Sequence, residues 1–277
     1  MLDKARRPRD FPHSSRLIYR QADARRIGNI LHAEKHRDLK IIHLAAETSV
    51  RRSVLKPVST VGANVGVTCA TLEFARRADA NRFVFASTAA IYGDKKDACH
   101  EDDLPNPRSP YAASKLAAEY YCKVYAGLYG IPITILRYFN VYGPGQSPQY
   151  AGVITSFLKE VSNRRRPTIF GDGSQTRDFI FVEDVVRATL ISLSKNLPAA
   201  RILNIGTGRA TSVSNLAKLV LQLFNKNYLE PIYTPAQEGD VKFSRADISR
   251  ARKEIGFRPK YEIDKGLQLT FSSVMKS

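Results

Sequence analysis

The chain has 277 residues, of which 43% are hydrophobic, so it can bury a substantial core and is not expected to be disordered. Lysine and arginine total 43 against 26 acidic residues, which gives a formal net charge of +17. Such basic surfaces attract nucleic acids, acidic membranes or phosphorylated small molecules. Because the positive residues fall in several short clusters rather than in one stripe, the sequence disfavours a nucleic-acid-binding protein.

The three cysteines lie far apart and form no Cys-x-x-Cys pair, so neither a zinc site nor a disulfide framework is predicted. Free thiols suit a reducing compartment. No apolar run approaches the roughly 20 residues of a membrane span, and the charged first ten residues do not resemble a secretory signal. The sequence therefore predicts a cytoplasmic protein without a metal site that does not associate with membranes.

Predicted strands and helices alternate along the first half of the chain. Short apolar runs indicate the strands, and apolar residues at helical spacing indicate the helices. In chain order they are strand 17–21, helix 27–35, strand 40–44, helix 64–77, strand 82–86, helix 111–129 and strand 132–138. This alternation predicts the α/β class, with βαβ units wound into a doubly wound parallel sheet. Ligands of such folds bind at the carboxyl ends of the strands.

The pattern loosens after about residue 145. Turn residues cluster at 143–145 and 171–173, and a strand, a turn and a helix are predicted over 202–224. The sequence therefore predicts two parts: a first domain over residues 1–145, and a smaller lobe over residues 146–277 from which some segments return to the sheet.

A Tyr-x-x-x-Lys spacing occurs three times, beginning at Tyr92, Tyr111 and Tyr261. Only Tyr111 opens a predicted helix, with Ser109 as its N-cap, so that Tyr111 and Lys115 share one helix face. A free phenol has a pKa of about 10 and is a poor base at neutral pH, whereas a neighbouring ammonium favours the phenolate. This pair is therefore the candidate acid–base group.

Further motifs follow one another in order along nearly the whole chain. They are His-Leu-Ala-Ala at 43–46, Asn-Val-Gly at 64–66, Ser-Thr-Ala-Ala-Ile-Tyr-Gly at 87–93, Tyr-Ala-Ala-Ser-Lys at 111–115, Arg-Tyr-Phe-Asn-Val-Tyr-Gly-Pro at 137–144, Thr-Arg-Asp-Phe-Ile at 176–180 and Asn-Ile-Gly-Thr-Gly at 204–208. In this order they resemble the signatures of the NAD-dependent epimerase/dehydratase family. The resemblance implies that residues 1–145 form a Rossmann-like NAD-binding domain and that residues 146–277 mainly bind substrate.

The resemblance also assigns roles to individual residues. The implied catalytic set is Thr88, Tyr111 and Lys115. The implied NAD site is Asp3, Asp23, Ala45, Ala46, Asn64 and Tyr138, together with Tyr111 and Lys115. The implied substrate site is Thr88, Asn140, Phe170, Arg177 and Asp240, with Arg177 pairing with a phosphate of a nucleotide-diphosphate sugar.

Two departures from the family pattern bear on cofactor and substrate. The family opens with a strand, a Gly-x-x-Gly-x-x-Gly loop that binds pyrophosphate, and a helix, and this sequence lacks that loop. Met1-Leu2-Asp3 resembles the end of the family's second strand, which predicts that roughly 40 residues of the family pattern are absent. The sequence would then be a fragment, the result of a misassigned start codon, or a degenerate gene product. Gly206-Thr207-Gly208 lacks the third glycine. Gln237 stands where the family usually has an arginine before Gly-Asp.

The residues after Thr88 separate the reactions within the family. Dehydratases and decarboxylating relatives place acids there, whereas this chain has Ala89 and Ala90. The resemblance therefore implies a homodimeric epimerase that interconverts UDP-glucose and UDP-galactose through a transient 4-keto intermediate, with NAD as cofactor. Two alternatives remain open. One is another NAD-dependent nucleotide-sugar epimerase or reductase, and the other is a non-catalytic sugar-nucleotide-binding remnant that lacks the cofactor loop.

Overall fold

A computed structural model describes residues 1–4, 12, 14, 16–31, 38–146, 152–236 and 241–274. Helices and strands alternate through its first half. They are β1 (Leu2–Asp3), β2 (Arg20–Gln21), α1 (Ile27–Ile30), β3 (Lys40–His43), α2 (Val50–Leu55), α3 (Pro57–Val61), a π-helix (Gly62–Gly66), α4 (Val67–Arg77), β4 (Arg82–Thr88), α5 (Pro110–Tyr129) and β5 (Ile133–Tyr138), with short 3₁₀ helices at Ala24–Arg26 and Ala89–Tyr92. This order confirms the predicted α/β class.

The second half contains shorter strands and further helices. They are β6 (Asn140–Tyr142), α6 (Val153–Ser162), β7 (Thr168–Phe170), β8 (Thr176–Arg177), β9 (Phe179–Phe181), α7 (Val182–Ser194), β10 (Arg201–Ile205), β11 (Thr211–Ser212), α8 (Val213–Leu223), β12 (Ile232–Thr234), α9 (Ser249–Ile255) and α10 (Ile263–Val274). The sequence predicts β10 and α8 in this half but not α6 or α7.

Four strands form a sheet in the order β10-β5-β4-β3, and β3 runs parallel to β4 with Lys40 opposite Arg82. β1 and β2 form a separate parallel pair. Phe83, Val84 and Phe85 of β4 are fully buried. Continuous burial along a strand is typical of parallel sheets that are covered on both faces.

The chain divides into two compact units, each made of several segments. The first comprises Met1–Ala86, Ser109–Ile135 and Asn196–Arg201, and the second comprises Ser87–Arg108, Leu136–Lys195 and Ile202–Ser277. In the second unit, α6 and α8 pack through Phe157, Leu158, Leu216 and Val220, all fully buried. The division at residue 145 into an NAD domain and a substrate lobe stays a prediction.

The helix that carries Tyr111 begins and ends where its sequence indicates. The Ser109 side chain accepts a hydrogen bond from the Ala112 amide at 3.2 Å, which caps the first turn of α5. At the other end Gly130 adopts a left-handed conformation with φ of 68°, which glycine tolerates without strain. These two caps confirm the predicted helix and fix Tyr111 in its first turn.

The predicted strand over 17–21 is wrong at its start. Only Arg20 and Gln21 form β2, and the apolar side chains of Leu17 and Ile18 are 48% and 62% exposed. An apolar run forms a strand only where a neighbouring element covers it.

The helix predicted over 27–35 is confirmed in its first part. In the structure α1 covers Ile27–Ile30, and residues 32–35 lie outside the described residues. Within the described ranges, no helix combines the length and hydropathy that crossing a bilayer requires.

Candidate active site

Lys115 is a buried cation in the first compact unit. Its side chain lies on α5, four residues after Tyr111, and the residue is only 4% exposed. The ammonium Nζ lies 4.3 Å from the centroid of the Phe85 ring, within cation–π range. Burial lowers the pKa of Lys115 to about 8, against an opposing effect of the Cys122 and Glu119 side chains. The amine therefore remains mostly protonated at neutral pH.

The other two Tyr-x-x-x-Lys tyrosines have environments that oppose a role as a base. The Tyr92 hydroxyl donates to Asn204 Oδ1 at 2.7 Å and accepts from Arg137 Nη1 at 2.8 Å, and burial raises its pKa. The Tyr261 hydroxyl donates to the Glu183 carboxylate, and this hydrogen bond raises its pKa. Tyr111 thus remains the candidate among the three.

Asn64 connects the loop after β3 to α5, the helix that carries Tyr111 and Lys115. Its side-chain oxygen accepts from the Glu47 amide at 2.7 Å, and its Nδ2 donates to the Glu47 carbonyl at 3.1 Å and to Ser114 Oγ at 2.8 Å. The residue is 1% exposed and lies in the π-helix Gly62–Gly66, a turn type that is frequent at functional sites. Ser114, which the sequence analysis did not single out, is thereby fixed beside Lys115.

The remaining first-unit residues assigned to NAD follow the ends of strands. Asp3 ends β1, and the pair 45–46 follows β3, with Ala45 exposed and Ala46 half-buried. Asp23 follows β2 and caps the 3₁₀ helix; hydrogen bonds from Arg25, together with the Lys4 ion pair, hold the pKa of its carboxyl well below its usual range. Carboxylates and small side chains at strand ends, and a buried ammonium on α5, are the kinds of group that fit a dinucleotide, and the assignment of these residues to NAD stays a prediction.

Thr88 ends β4 in the second compact unit. Its hydroxyl oxygen accepts from the Ala90 amide at 3.2 Å and so caps the short helix Ala89–Tyr92. The residue is half-buried. Neither alanine that follows carries an acid, so this turn offers no carboxyl group for the elimination of water.

Three of the substrate residues assigned in the second unit lie on short strands, each of which belongs to a different two-stranded sheet. Asn140 begins β6 and is exposed, and its amide donates to the Asp178 carbonyl at 3.0 Å. Arg177 ends β8, is 8% exposed, and donates to the Thr176 carbonyl at 2.8 Å. Phe170 ends β7 with its ring 43% exposed, as a stacking residue requires. Asp240 and Gln237 lie outside the described residues.

Tyr138, assigned to the NAD site, also lies in the second unit. Its hydroxyl shares a hydrogen bond of 2.8 Å with the Thr189 hydroxyl, and burial raises its pKa to about 12. With its hydroxyl engaged, Tyr138 could contact NAD only through its ring, and its role in the NAD site stays a prediction.

Among the described residues, no three metal-ligating side chains come together.

The Gly-Thr-Gly segment at 206–208 donates hydrogen bonds to a carboxylate of the same chain, that of Asp178. The Asp178 carboxylate, fully buried, accepts from the Thr207 amide at 2.7 Å, the Thr207 hydroxyl at 2.6 Å, the Gly208 amide at 2.8 Å and the Ala246 amide at 3.1 Å. Burial raises the pKa of this carboxyl, and the four hydrogen bonds oppose the rise. Consecutive backbone amides that converge on an anion form a nest. The segment resembles a phosphate-binding loop because both use such amides to hold negative charge.

Gly206 leaves room for that carboxylate. A Cβ there would lie 2.7 Å from the Ala246 Cβ and 2.8 Å from Asp178 Oδ2. We expect Gly206→Ala to lower the free energy of unfolding by about 1–3 kcal/mol, because overpacking forces the neighbours apart. Denaturant unfolding measures this. Gly127→Ala in α5, where a Cβ meets nothing within 4 Å, is the control and is expected to be neutral or stabilising. Equal effects of both substitutions would contradict the role of this contact.

Comparisons with known proteins agree with the sequence motifs. The profile of the family "NAD dependent epimerase/dehydratase family" matches residues 4–206. A protein of Methanocaldococcus jannaschii described as a putative UDP-glucose 4-epimerase is 41% identical over 232 residues, which cover 82% of this chain and 74% of that protein.

Solved structures show the same architecture. UDP-glucose 4-epimerase of Thermotoga maritima, solved with UDP-glucose, superposes with a TM-score of 0.90 at 34% identity, covering 99% of this chain and 90% of that one. UDP-glucuronic acid 4-epimerase of Bacillus cereus, in complex with UDP-glucuronic acid and NAD, superposes with a TM-score of 0.84 at 30% identity, covering 95% and 83%.

The parallel sheet and its crossover helices place the chain in the Rossmann-like α/β class, as the sequence predicted. The chain belongs to the NAD-dependent epimerase/dehydratase family. NAD is its cofactor, as predicted.

Proposed function

We propose that this chain is a nucleotide-sugar 4-epimerase that acts on a UDP-hexose, with UDP-glucose and UDP-galactose as the favoured pair. The observation that carries the proposal is the buried Lys115 ammonium, one helical turn from Tyr111 at the start of α5. Relatives named as UDP-glucose and UDP-glucuronic acid 4-epimerases support the reaction class.

The chain's own residues would handle the proton of the reaction. NAD, when bound, would supply the hydride acceptor and donor of the reaction. Tyr111 takes the proton of the 4-hydroxyl and returns it, and the Lys115 charge favours the phenolate that does so. Thr88 orients the sugar oxygen. Because Ala89 and Ala90 bring no acid, the turn after β4 favours epimerisation over loss of water.

Residues of the second unit would hold the nucleotide diphosphate. Arg177 suits a phosphate, because guanidinium groups form short, charge-assisted hydrogen bonds with phosphate oxygens. The exposed Phe170 ring suits stacking on a base. Asn140, exposed at the start of β6, suits a hydrogen bond to a phosphate or sugar oxygen.

A substrate panel tests the proposal. Purified chain and NAD are incubated with UDP-glucose, UDP-galactose or UDP-glucuronate, and products are separated by chromatography. We expect the 4-epimer to accumulate, fastest with the glucose–galactose pair. A product that has lost water would instead identify a dehydratase. Bound NAD and UDP-sugar without any conversion would identify the non-catalytic alternative.

We also propose that the protein is a homodimer. α2 and α3 pack against α5 in the first unit, and this group of helices presents an apolar surface. The surface includes Val54, Val58, Tyr120, Val124 and Leu128, which are between 50% and 85% exposed. Tyr120, Val124 and Leu128 lie four residues apart on α5 and so share one face, and an exposed apolar face often marks a protein–protein contact. A second copy related by a two-fold axis would cover it.

Charge on that surface should separate the copies. We expect Leu128→Glu to convert a dimer into a monomer in sedimentation experiments, because the interface would bury an unpaired carboxylate. Leu190→Glu, which changes an equally apolar residue that is 55% exposed on α7, is the control and should leave the mass unchanged. A wild-type monomer, or a Leu128→Glu dimer, would contradict the proposal.

We propose that the protein acts in the cytoplasm. Cys69, Cys99 and Cys122 are free thiols, which supports a reducing compartment.

A further inference from the structure

We propose that Asp178 is a positioning residue that fixes Arg177 and Asn140 for the diphosphate of the substrate. This inference rests on the proposed function, because it concerns the substrate site of that reaction. Asp178 is fully buried and would not itself touch the substrate.

Asp178 is the single residue between strands β8 and β9. Arg177 ends β8 immediately before it, and β9 begins at Phe179 immediately after it. The Asp178 carbonyl accepts from the Asn140 amide at 3.0 Å, and Asn140 pairs with Phe179 in register. A displacement of Asp178 would therefore move Arg177 and Asn140 together.

The Asp178 side chain anchors this junction to two other segments. Its carboxylate accepts from the amides of Thr207, Gly208 and Ala246 and from the Thr207 hydroxyl. An ionised carboxylate presents only acceptors, so it matches a site made only of donors. An amide in its place would point an N–H group at a backbone N–H group. Asn at this position should therefore loosen the junction with little change in volume.

Asp184 offers a matched control in the same unit. Its side chain is also fully buried and accepts from the amides of Lys260 and Tyr261 and from Arg187. It anchors α7 to the segment before α10, and none of its hydrogen bonds involves Arg177 or Asn140. Asp184→Asn thus removes a buried carboxylate of similar structural importance without loosening the proposed junction.

The experiment compares Asp178→Asn with Asp184→Asn in the full chain with NAD. Calorimetric titration with UDP and steady-state kinetics with UDP-galactose are measured, together with the melting temperature and NAD content. We expect Asp178→Asn to weaken UDP binding and raise KM about tenfold or more, with kcat within about threefold of wild type, because uniform substrate binding is lost. Asp184→Asn should lower the melting temperature comparably and leave both constants unchanged.

If Asp178→Asn does not fold, Thr207→Val provides the test, because it deletes one donor and keeps the side-chain shape. We expect it to raise the UDP dissociation constant about two- to fivefold. The inference is overturned if Asp178→Asn binds UDP as tightly as wild type does. If that variant does not fold, wild-type UDP affinity in Thr207→Val overturns the inference. Equal weakening of UDP binding in Asp178→Asn and Asp184→Asn also overturns it. A wild-type chain that binds no UDP overturns the proposed function itself.

Discussion

Replacement of Tyr111 by Phe should reduce kcat about 10²–10⁴-fold, the range over which a positioned acid–base group contributes to catalysis. The substitution removes only the hydroxyl, so the ring, the helix and the binding of NAD and UDP-sugar should persist. The rate of UDP-galactose conversion measures the effect, and the NAD released on denaturation measures cofactor content.

Tyr261→Phe is the matched control for this experiment. It removes the hydroxyl of another Tyr-x-x-x-Lys tyrosine, whose partner in the structure is the Glu183 carboxylate. We expect its kcat to stay within about threefold of wild type. The catalytic assignment would be abandoned if Tyr111→Phe kept its activity, or if both variants lost activity equally.

Lys115→Met should lower kcat about 10–10³-fold, because a neighbouring positive charge shifts a titrating group by about 1–3 pKa units toward its charged form. Without the ammonium, less phenolate is present at neutral pH. Lys123→Met, which removes an exposed lysine of the same helix that lies 5.1 Å from the Tyr120 ring, should have no comparable effect. Unchanged kcat in Lys115→Met would remove Lys115 from the catalytic set.

The same substitution should stabilise the ligand-free protein in a pH-dependent way. Burial lowers the pKa of Lys115 from its ordinary 10.5 to about 8, so the charged amine disfavours the folded state. Below pH 8 both folded and unfolded chains hold the proton, and Lys115→Met should be more stable by up to about 3 kcal/mol. As pH rises from 8 toward 10.5, the folded wild-type chain sheds its proton first and the difference should shrink. Denaturant unfolding at several pH values measures this, and a constant difference would contradict it.

Local chemistry made much of the fold predictable. The helix α5 is predictable almost residue by residue, because Ser109, Pro110 and Gly130 mark its ends and its apolar spacing is regular. β3, β4 and β5 followed from short apolar runs. The strand predicted at 17–21 failed because Leu17 and Ile18 are apolar but uncovered, a condition that depends on neighbours rather than on the run itself.

The candidate site was predictable only in part. The order of the motifs along the chain distinguished Tyr111 from Tyr92. The structural role of Tyr92, however, comes from its hydrogen bond to Asn204, which lies 112 residues away and could not be predicted. The burial of Lys115 against Phe85 and the enclosure of Asp178 by amides from 207, 208 and 246 depend on long-range packing. No local period or spacing encodes such contacts.

The π-helix before α4 makes the number of residues there as important as their identity. Its wider turn accommodates an additional residue, and this lets Asn64 point toward Glu47 and Ser114 while α4 keeps its apolar face buried. Loss of one residue between Gly62 and Gly66 would rotate α4 by about 100° and carry Leu72 away from the core. Natural variants of this protein should therefore tolerate substitutions in this segment more readily than insertions or deletions.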